Sequence, residues 1–394
     1  MAQTSPLFTP LTLPCGVTLK NRLAKSAMSD SLGDGRGNPT PAQIRLYERW
    51  AEGGSAVAII GEVQGDPRAA EKPGNLALGP LSDGALLREL TSRGGAHGMQ
   101  LWAQLGHAGA MAHPPISDPK GPSALDLPGL SCAALTLEEI AALPAQFART
   151  AAHAKAVGFA GVQIHAAHGF LLSQFLSPLF NKRSDEYGGA LNNRMRLLLE
   201  TIDAVRTAVG PTFPVAIKLN ATDQLEGGFA ETEALEVIRA LETTSTDLID
   251  ISGGTYFPGA KSASDRAASG PYFTEFGQAA RVCTTKPLMI TGGFKTMAQA
   301  VTAITDGAAD MIGLARALVI APDLPLRWQT TGEDIAFPRF QDPPEGGVTA
   351  WYTQALTQIG NNEPVDPKAD LQTALTDYNA RDAARVPVWN AHFG

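Results

Sequence analysis

Short hydrophobic runs alternate with longer stretches of helical periodicity between residues 23 and 314. Eight runs have the length and composition of buried strands: 23–28, 56–60, 99–105, 161–165, 215–219, 248–251, 288–290 and 311–314. Seven intervening segments have helical spacing: 40–52, 83–94, 137–157, 192–209, 231–243, 272–283 and 296–305. Ser82, Thr136, Thr232 and Thr296 are predicted to cap helices at their start, and Gly53, Gly158 and Gly307 at their end.

This alternation predicts the α/β class, specifically a (β/α)8 TIM barrel rather than a Rossmann sheet, because no GxGxxG motif follows an early strand. Residues 11–21 read as a β-hairpin plug below the first strand. The alternation stops near residue 326. We therefore expect a barrel over 1–330 and an extension over 331–394, with helices near 351–359 and 371–384, packed on the barrel or on a dimer partner.

Composition narrows the possible partners and the compartment. With 44% hydrophobic and 18% charged residues the chain has material for a large core, and its net charge of -8 disfavours nucleic-acid or anionic-membrane binding. Three separated cysteines and the absence of a CxxC pair favour a reduced protein. Neither a signal peptide nor a membrane-spanning run is recognisable. We expect a cytoplasmic protein with a small-molecule substrate and possible homo-oligomers.

The segment from Ile164 to Gly189 carries the strongest chemical signal. His165 ends the fourth predicted strand and His168 lies three residues beyond it. If the chain bends between them, two neutral imidazoles can donate hydrogen bonds to one carbonyl oxygen and stabilise charge developing there. An isolated histidine is more often a core residue satisfied by backbone groups, or a metal ligand.

With its HAAHGFLLSQFLSPLFNKRSDEYGG sequence, this segment resembles the strand-four signature of the Old Yellow Enzyme family of FMN-dependent oxidoreductases. The resemblance extends from residue 11 to about residue 326, with motifs in order at most strand ends. It implies that His165 and His168 bind the substrate carbonyl. In the loop 181–189, we interpret Arg183 and Asp185, together with Arg194, as structural ties.

The resemblance also implies an FMN site with NADH or NADPH as reductant. The segment Ser26, Ala27, Met28 and Ser29 would lie along the flavin, with Ile60 or Gly61 as a small contact. Gln104 would pair with the pyrimidine edge, and Lys218 would stabilise the reduced ring near N1. The phosphate would bind at the last two strand ends, where TIM barrels often hold one. The residues there are Gly292, Gly293, Ala315 and Arg316.

Four positions depart from the family pattern. Phe170 replaces a tyrosine that protonates the substrate α-carbon, so Tyr256, Tyr272, Tyr47 and water are candidate donors. Ser29 replaces a redox-tuning cysteine, Ala110 an arginine, and Ser31 an aromatic residue of the substrate pocket. His165, His168, Phe170, Ser31 and Tyr256 are therefore the predicted substrate-binding residues, and no metal is expected.

The leading hypothesis is hydride transfer from NADH or NADPH through flavin N5 to an activated alkene, an α,β-unsaturated carbonyl compound. The first alternative is a flavin-dependent dehydrogenase, a double-bond isomerase, or a nitro or quinone reductase, because Phe170 has no proton to give. A second is an inactive flavin-binding protein. A third is a metal-dependent barrel enzyme using His165, His168 and Asp223, although a suitable carboxylate-histidine set is missing.

Overall fold

Eight parallel strands close into a barrel at the centre of the molecule. The computed structural model describes residues 5–257 and 270–394. Each strand pairs with the next in chain order, and β8 pairs with β1, which completes the circle. The (β/α)8 prediction is confirmed. The strands are β1 (Leu23–Met28), β2 (Val57–Gln64), β3 (Gln100–Gly106), β4 (Gly161–Ala166), β5 (Val215–Asn220), β6 (Leu248–Ser252), β7 (Leu288–Thr291) and β8 (Met311–Leu314).

Helices surround this barrel and continue after it. They are α1 (Pro41–Glu52), α2 (Gly84–Gly94), α3 (Leu137–Ala156), α4 (Leu171–Leu176), α5 (Leu191–Arg194), α6 (Arg196–Val209), α7 (Glu231–Glu242), α8 (Thr274–Arg281), α9 (Met297–Thr305), α10 (Ala317–Ile320), α11 (Leu324–Thr330), α12 (Gly347–Gly360) and α13 (Leu371–Phe393). Of the parts of the chain described, no helix combines the length and apolar character needed to cross a bilayer.

Helix ends confirm some predicted caps and correct others. Thr136 and Thr296 accept hydrogen bonds from the first turns of α3 and α9. Ser82 was the wrong residue for α2, because the Asp83 carboxylate accepts from two backbone N–H groups of that helix. Thr232 lies inside α7, whose start is capped by a Glu233 side chain that accepts from backbone.

A hydrophobic layer fills the lower end of the barrel, below the strand ends that carry the candidate site. Residues 11–12 and 18–19 pair as an antiparallel hairpin, as expected for a plug. Its side chains Leu11, Leu13 and Leu19 pack against inward-facing residues of the strands, including Trp102 and Met289. This layer closes one end of the barrel, so a ligand must enter from the other.

The chain after α11 lies against the barrel described here. α12 packs on α1, and α13 packs on α12. From α13, Arg385 donates to the Ser31 carbonyl oxygen over 2.7 Å, and Ser31 Oγ donates to Asp382 Oδ1 over 3.3 Å. The prediction for α13 stopped too early, at residue 384, because the helix continues through Pro387 to Phe393.

Candidate active site

A chain of buried hydrogen bonds crosses the barrel above the hydrophobic layer. Gln104 Nε2 donates to Gln163 Oε1 over 2.8 Å, and Gln163 Nε2 donates to Asp250 Oδ2 over 3.0 Å. Thr291 Oγ1 donates to Asp250 Oδ1 over 2.7 Å and lies 2.8 Å from Ser26 Oγ. All five side chains are buried. Because buried polar groups are costly unless they are hydrogen-bonded, this network holds its members in one arrangement.

The Lys218 ammonium joins this network through a buried ion pair. Its Nζ lies 2.6 Å from Asp250 Oδ2 and 3.3 Å from Ser26 Oγ. Lys218 is 1% exposed and Asp250 is fully buried. Asp250 neutralises the positive charge, so Lys218 provides a fixed hydrogen-bond donor more than an uncompensated cation.

A sharp change of backbone direction after β4 brings two imidazoles together. His168 has a φ of 62°, in the left-handed region, and its N–H donates to Asn220 Oδ1 over 3.1 Å. Its Nε2 lies 2.9 Å from Ser252 Oγ. The ring centroids of His165 and His168 are 5.3 Å apart at an angle of 77°. Both rings therefore border the same space at the barrel mouth.

Both histidines are neutral near pH 7. Burial and the nearby Lys218 ammonium lower the pKa of His165 to about 3. Burial, with His165 and Lys218 beside it, lowers the pKa of His168 well below its ordinary value. A neutral imidazole carries one N–H. His168 can therefore donate to an oxygen at the mouth only from Nδ1, with Ser252 Oγ donating to its Nε2.

Two further aromatic rings line this space. Phe170 lies 4.9 Å from His165 between ring centroids and is 2% exposed. Tyr256, 62% exposed, lies 5.6 Å from His168 and 6.2 Å from Phe170. Four of the five predicted substrate-binding residues therefore form one aromatic wall. The fifth, Ser31, instead uses its hydroxyl on Asp382 of α13.

The ends of β7 and β8 form a second, polar part of the mouth. Gly292 and Gly293 have φ values of 128° and 83°, and a Cβ at Gly293 would collide with the Gly270 carbonyl oxygen. The backbone N–H groups of Gly293, Phe294, Ala315 and Arg316 have no acceptor within residues 5–257 and 270–394. Backbone N–H groups without acceptors beside a guanidinium are suited to an anion such as phosphate.

The remaining predicted contacts lie along β1 and β2. Ser29 Oγ is buried and has no hydrogen-bond partner in the described chain. Ala27 packs toward the hydrophobic layer inside the barrel, here called the inner layer. Met28 packs toward the core that the strands share with the surrounding helices, here called the outer layer. Ile60 faces the outer layer with its side chain, so any contact it makes at the mouth comes from its backbone.

Comparison with known proteins identifies the family. The model of the NADH:flavin oxidoreductase / NADH oxidase family matches residues 6–334. A NADH-dependent flavin oxidoreductase, iliE, from Hypocrea jecorina (strain QM6a) is 34% identical over 80% of this chain and 87% of its own length. The chain belongs to the NADH:flavin oxidoreductase / NADH oxidase family.

Other relatives agree with this assignment to the NADH:flavin oxidoreductase family. A NADPH dehydrogenase from Halalkalibacterium halodurans is 34% identical over 79% of this chain and 90% of its own length. The structure of 2-naphthoyl-CoA reductase with 2-naphthoyl-CoA aligns with a TM-score of 0.76 and 25% identity, over 82% of this chain and 52% of that one. This chain thus spans about half the length of that reductase. The predicted resemblance to the Old Yellow Enzyme family is confirmed. The prediction that the chain is a flavin-dependent NAD(P)H oxidoreductase is confirmed as well.

FMN is the cofactor of this NADH:flavin oxidoreductase family, and the residues present fit it at both ends. The β7 and β8 ends offer backbone N–H groups to a phosphate. At the other end, Gln104 keeps its Oε1 and its second N–H without a partner among the described residues, which suits a ring edge with donors and acceptors. Ser29 Oγ is a further buried polar atom that has no hydrogen-bond partner among the described residues.

Several residues of this flavin oxidoreductase site were missed in the sequence. Asp250 and Gln163 are polar residues inside the apolar strands β6 and β4, as Lys218 is in β5. Their inward position follows from strand alternation. Glu62 was missed because its orientation depends on an irregularity of β2, described below.

The residues interpreted as structural ties, and Asp223 of the metal-site alternative, each have hydrogen-bond partners within the protein. Arg183 pairs with Asp185 and donates to two backbone carbonyl oxygens, and Arg194 pairs with Glu233. Asp223 accepts from Asn220 Nδ2 and from backbone. In the regions that the structure covers, His, Cys, Asp and Glu side chains form no group of three suited to a metal ion.

The neutral state of His165 predicts a loss of stability in acid. The unfolded chain takes up a proton at a pKa of 6.5, whereas the folded protein does so near 3, so acid favours unfolding across that window. His165→Asn should flatten the decline of the free energy of unfolding below pH 6.5, by up to roughly 1.4 kcal/mol per pH unit. Urea unfolding at several pH values measures the slope. Parallel profiles for the two proteins would contradict the assignment.

Proposed function

We propose that this oxidoreductase reduces an activated alkene, an α,β-unsaturated carbonyl compound, with NADH or NADPH as the reductant. The observation that carries the proposal is the pair of neutral imidazoles, His165 and His168, facing one space at the barrel mouth. An oxygen that receives hydrogen bonds from both rings becomes a better electron acceptor, because charge developing on it is stabilised. Bound FMN supplies hydride storage between the nicotinamide and the substrate.

The other residues of the mouth support binding of a flat, conjugated substrate. Phe170 and Tyr256 place aromatic rings beside the histidines, and the buried Phe170 excludes water from its side of the space. Among the similar structures, 2-naphthoyl-CoA reductase holds 2-naphthoyl-CoA, in which an aromatic ring is conjugated to a thioester carbonyl. The same electronic arrangement is what two hydrogen-bond donors would activate here.

Phe170 favours a second candidate, the reduction of quinone or nitro acceptors. A phenyl ring in the position of the family's acidic tyrosine removes a proton donor for carbon, and these acceptors need none. A dehydrogenase or double-bond isomerase reaction would use the same donor-poor site.

An anaerobic assay separates these candidates. Flavin reduced by NADH or NADPH is expected to be reoxidised by a cyclic enone in rapid mixing, with the rate depending on enone concentration. The rate is compared with that of a quinone of similar size. Reoxidation by the quinone with none by any enone would reject alkene reduction.

Arg316 is expected to contribute to FMN retention. Replacement by alanine removes a charge-assisted hydrogen bond worth about 1.5–3 kcal/mol, so the Kd for FMN should rise roughly 10- to 100-fold. Recovery of flavin fluorescence on dilution gives the Kd. Arg327→Ala, in α11 and paired with Asp323 on the surface, is the matched control. Equal Kd values for both variants would place the phosphate elsewhere.

Phe170→Tyr tests the missing hydroxyl directly. The variant places an acid at the ring edge beside His165, and positioned acids commonly accelerate such steps, so enone-dependent reoxidation should rise roughly tenfold or more. Quinone-dependent reoxidation provides the internal reference. An unchanged ratio of the two rates would show that a hydroxyl at this position does not take part.

A further inference from the structure

A one-residue irregularity in β2 turns Glu62 toward the barrel mouth. Val57 and Ile59 pack in the inner layer, as alternation requires, yet Val63 packs in the outer one. The register with β3 shifts between Ile60 and Val63. A β-bulge of this kind commonly re-aims a side chain beside an active site. Glu62 has a φ of 59°, a conformation that costs a non-glycine residue on the order of 1–3 kcal/mol.

The re-aimed carboxyl lies directly beside His165. Glu62 Oε1 is 3.3 Å from His165 Nε2, and the residue is 5% exposed. Its Oε2 has no hydrogen-bond partner in the described chain and lies 2.8 Å from where a Cβ on Gly106 would be. The missing side chain at Gly106 therefore gives the carboxyl its space. This placement does not stabilise the hydrophobic core, since it leaves the buried Oε2 of Glu62 without a hydrogen bond.

The carboxyl carries a proton at neutral pH. Burial raises the pKa of Glu62 to about 8, against the opposing effect of the Lys218 ammonium. The groups around it are His165 from β4, Lys218 paired with Asp250, Glu71 from the loop after β2, and Tyr256. Its contact with His165 thus joins two neutral groups, one of which has a transferable proton.

The tyrosines considered as donors are less well placed than Glu62. Tyr47 lies on α1, where its buried hydroxyl donates a hydrogen bond to Asp30 over 3.0 Å. The Tyr272 ring lies against Gly292, at the phosphate end of the mouth. Tyr256 borders the site but is mostly exposed.

We propose that Glu62 is the general acid of the reaction and gives its proton to the carbonyl oxygen of the substrate. Glu62 Oε1 lies 3.3 Å from His165 Nε2, so an oxygen that bridges these two atoms would receive hydrogen bonds from both side chains. The inference rests on the alkene reduction proposed above. Glu62 would supply the acidic proton that the phenyl ring of Phe170 lacks. The proton would go to the carbonyl oxygen of the substrate instead of its α-carbon.

The step balances in atoms and electrons. Bound FMN would supply the hydride for a C–H bond at the β-carbon, and the π pair of the alkene would then move onto the carbonyl oxygen to give an enolate. The O–H bond of Glu62 breaks as an O–H bond forms on the enolate oxygen, so an enol leaves the site. The enol becomes the ketone by taking a proton from solvent at the α-carbon and releasing one from oxygen. The Glu62 carboxylate regains its proton from water.

Stereochemistry gives a readout that does not depend on rate. If the α-carbon is protonated in solvent, a cyclic enone with an α-methyl group yields racemic product at that carbon. The product is analysed at short times, with a control for racemisation after release. A single α-enantiomer from the unsubstituted protein would overturn the proposal, because it requires a donor positioned at carbon.

Substitution at Glu62 gives the second test. In Glu62→Gln, the ratio of enone- to quinone-dependent reoxidation rates should fall roughly 10²-fold or more. The decline of enone reduction as the pH rises through about 8, expected from the pKa of Glu62, should disappear as well. Glu71→Gln is the matched control, since burial raises the pKa of Glu71 to about 8 too. It should keep the ratio and should still show a decline of enone reduction at alkaline pH, because Glu62 is retained, although the loss of the neighbouring Glu71 carboxyl is expected to shift the pH of that decline.

The outcomes separate the two proposals. An unaltered ratio in Glu62→Gln, or an equal fall in Glu71→Gln, rejects Glu62 as the acid and leaves alkene reduction standing. Failure of every enone with the unsubstituted protein rejects alkene reduction and, with it, this role of Glu62. Infrared difference spectra of the flavin-loaded proteins check the proton itself. The unsubstituted protein should show protonated-carboxyl absorption from both Glu62 and Glu71 that titrates near pH 8, and each single variant should lose one component of it; a Glu62→Gln spectrum that loses no component overturns the assignment.

Discussion

The buried pair of Lys218 and Asp250 is the interaction around which the barrel interior is organised. At 2.6 Å, with both side chains out of contact with solvent, each charge is tolerated only because the other is present. Asp250 also accepts from Gln163 and Thr291, which in turn fix Gln104 and Ser26. Loss of either charge would leave an unpaired ion, typically at a cost of 3–5 kcal/mol. The polar floor of the site is therefore also part of the stability of the fold.

Above this floor, the mouth is built mainly from neutral groups. His165 and His168 are held without charge by burial, and Glu62 keeps its proton for the same reason. One physical cause thus supplies hydrogen-bond donors for an oxygen and an acid next to them. Water would weaken all three effects, since it would restore the charged forms. The phosphate end differs, because it relies on backbone N–H groups and Arg316.

The barrel was predictable from sequence because strand periodicity and strand order are local signals. Polar residues inside apolar strands are a second local signal. Lys218, identified through the family resemblance, lies in such a strand, and Asp250 and Gln163 carry the same mark. Glu62 could not be found, because alternation counted from Ile59 gives the wrong face once a bulge inserts a residue. The position of Ser31 depended on α13, more than 350 residues away in the chain, and nothing local to Ser31 signals that contact.

The contact between α13 and the loop after β1 has a consequence for how the protein is made. Arg385 donates to the Ser31 carbonyl oxygen and Asp382 accepts from the Ser31 hydroxyl, and Ser31 itself has a φ of 51° in the loop after β1. All eight strands leave the ribosome before α13 does, and contacts so distant in sequence form late. We therefore expect the barrel to close before α13 docks, and the loop at Ser31 to take its final conformation in that last step.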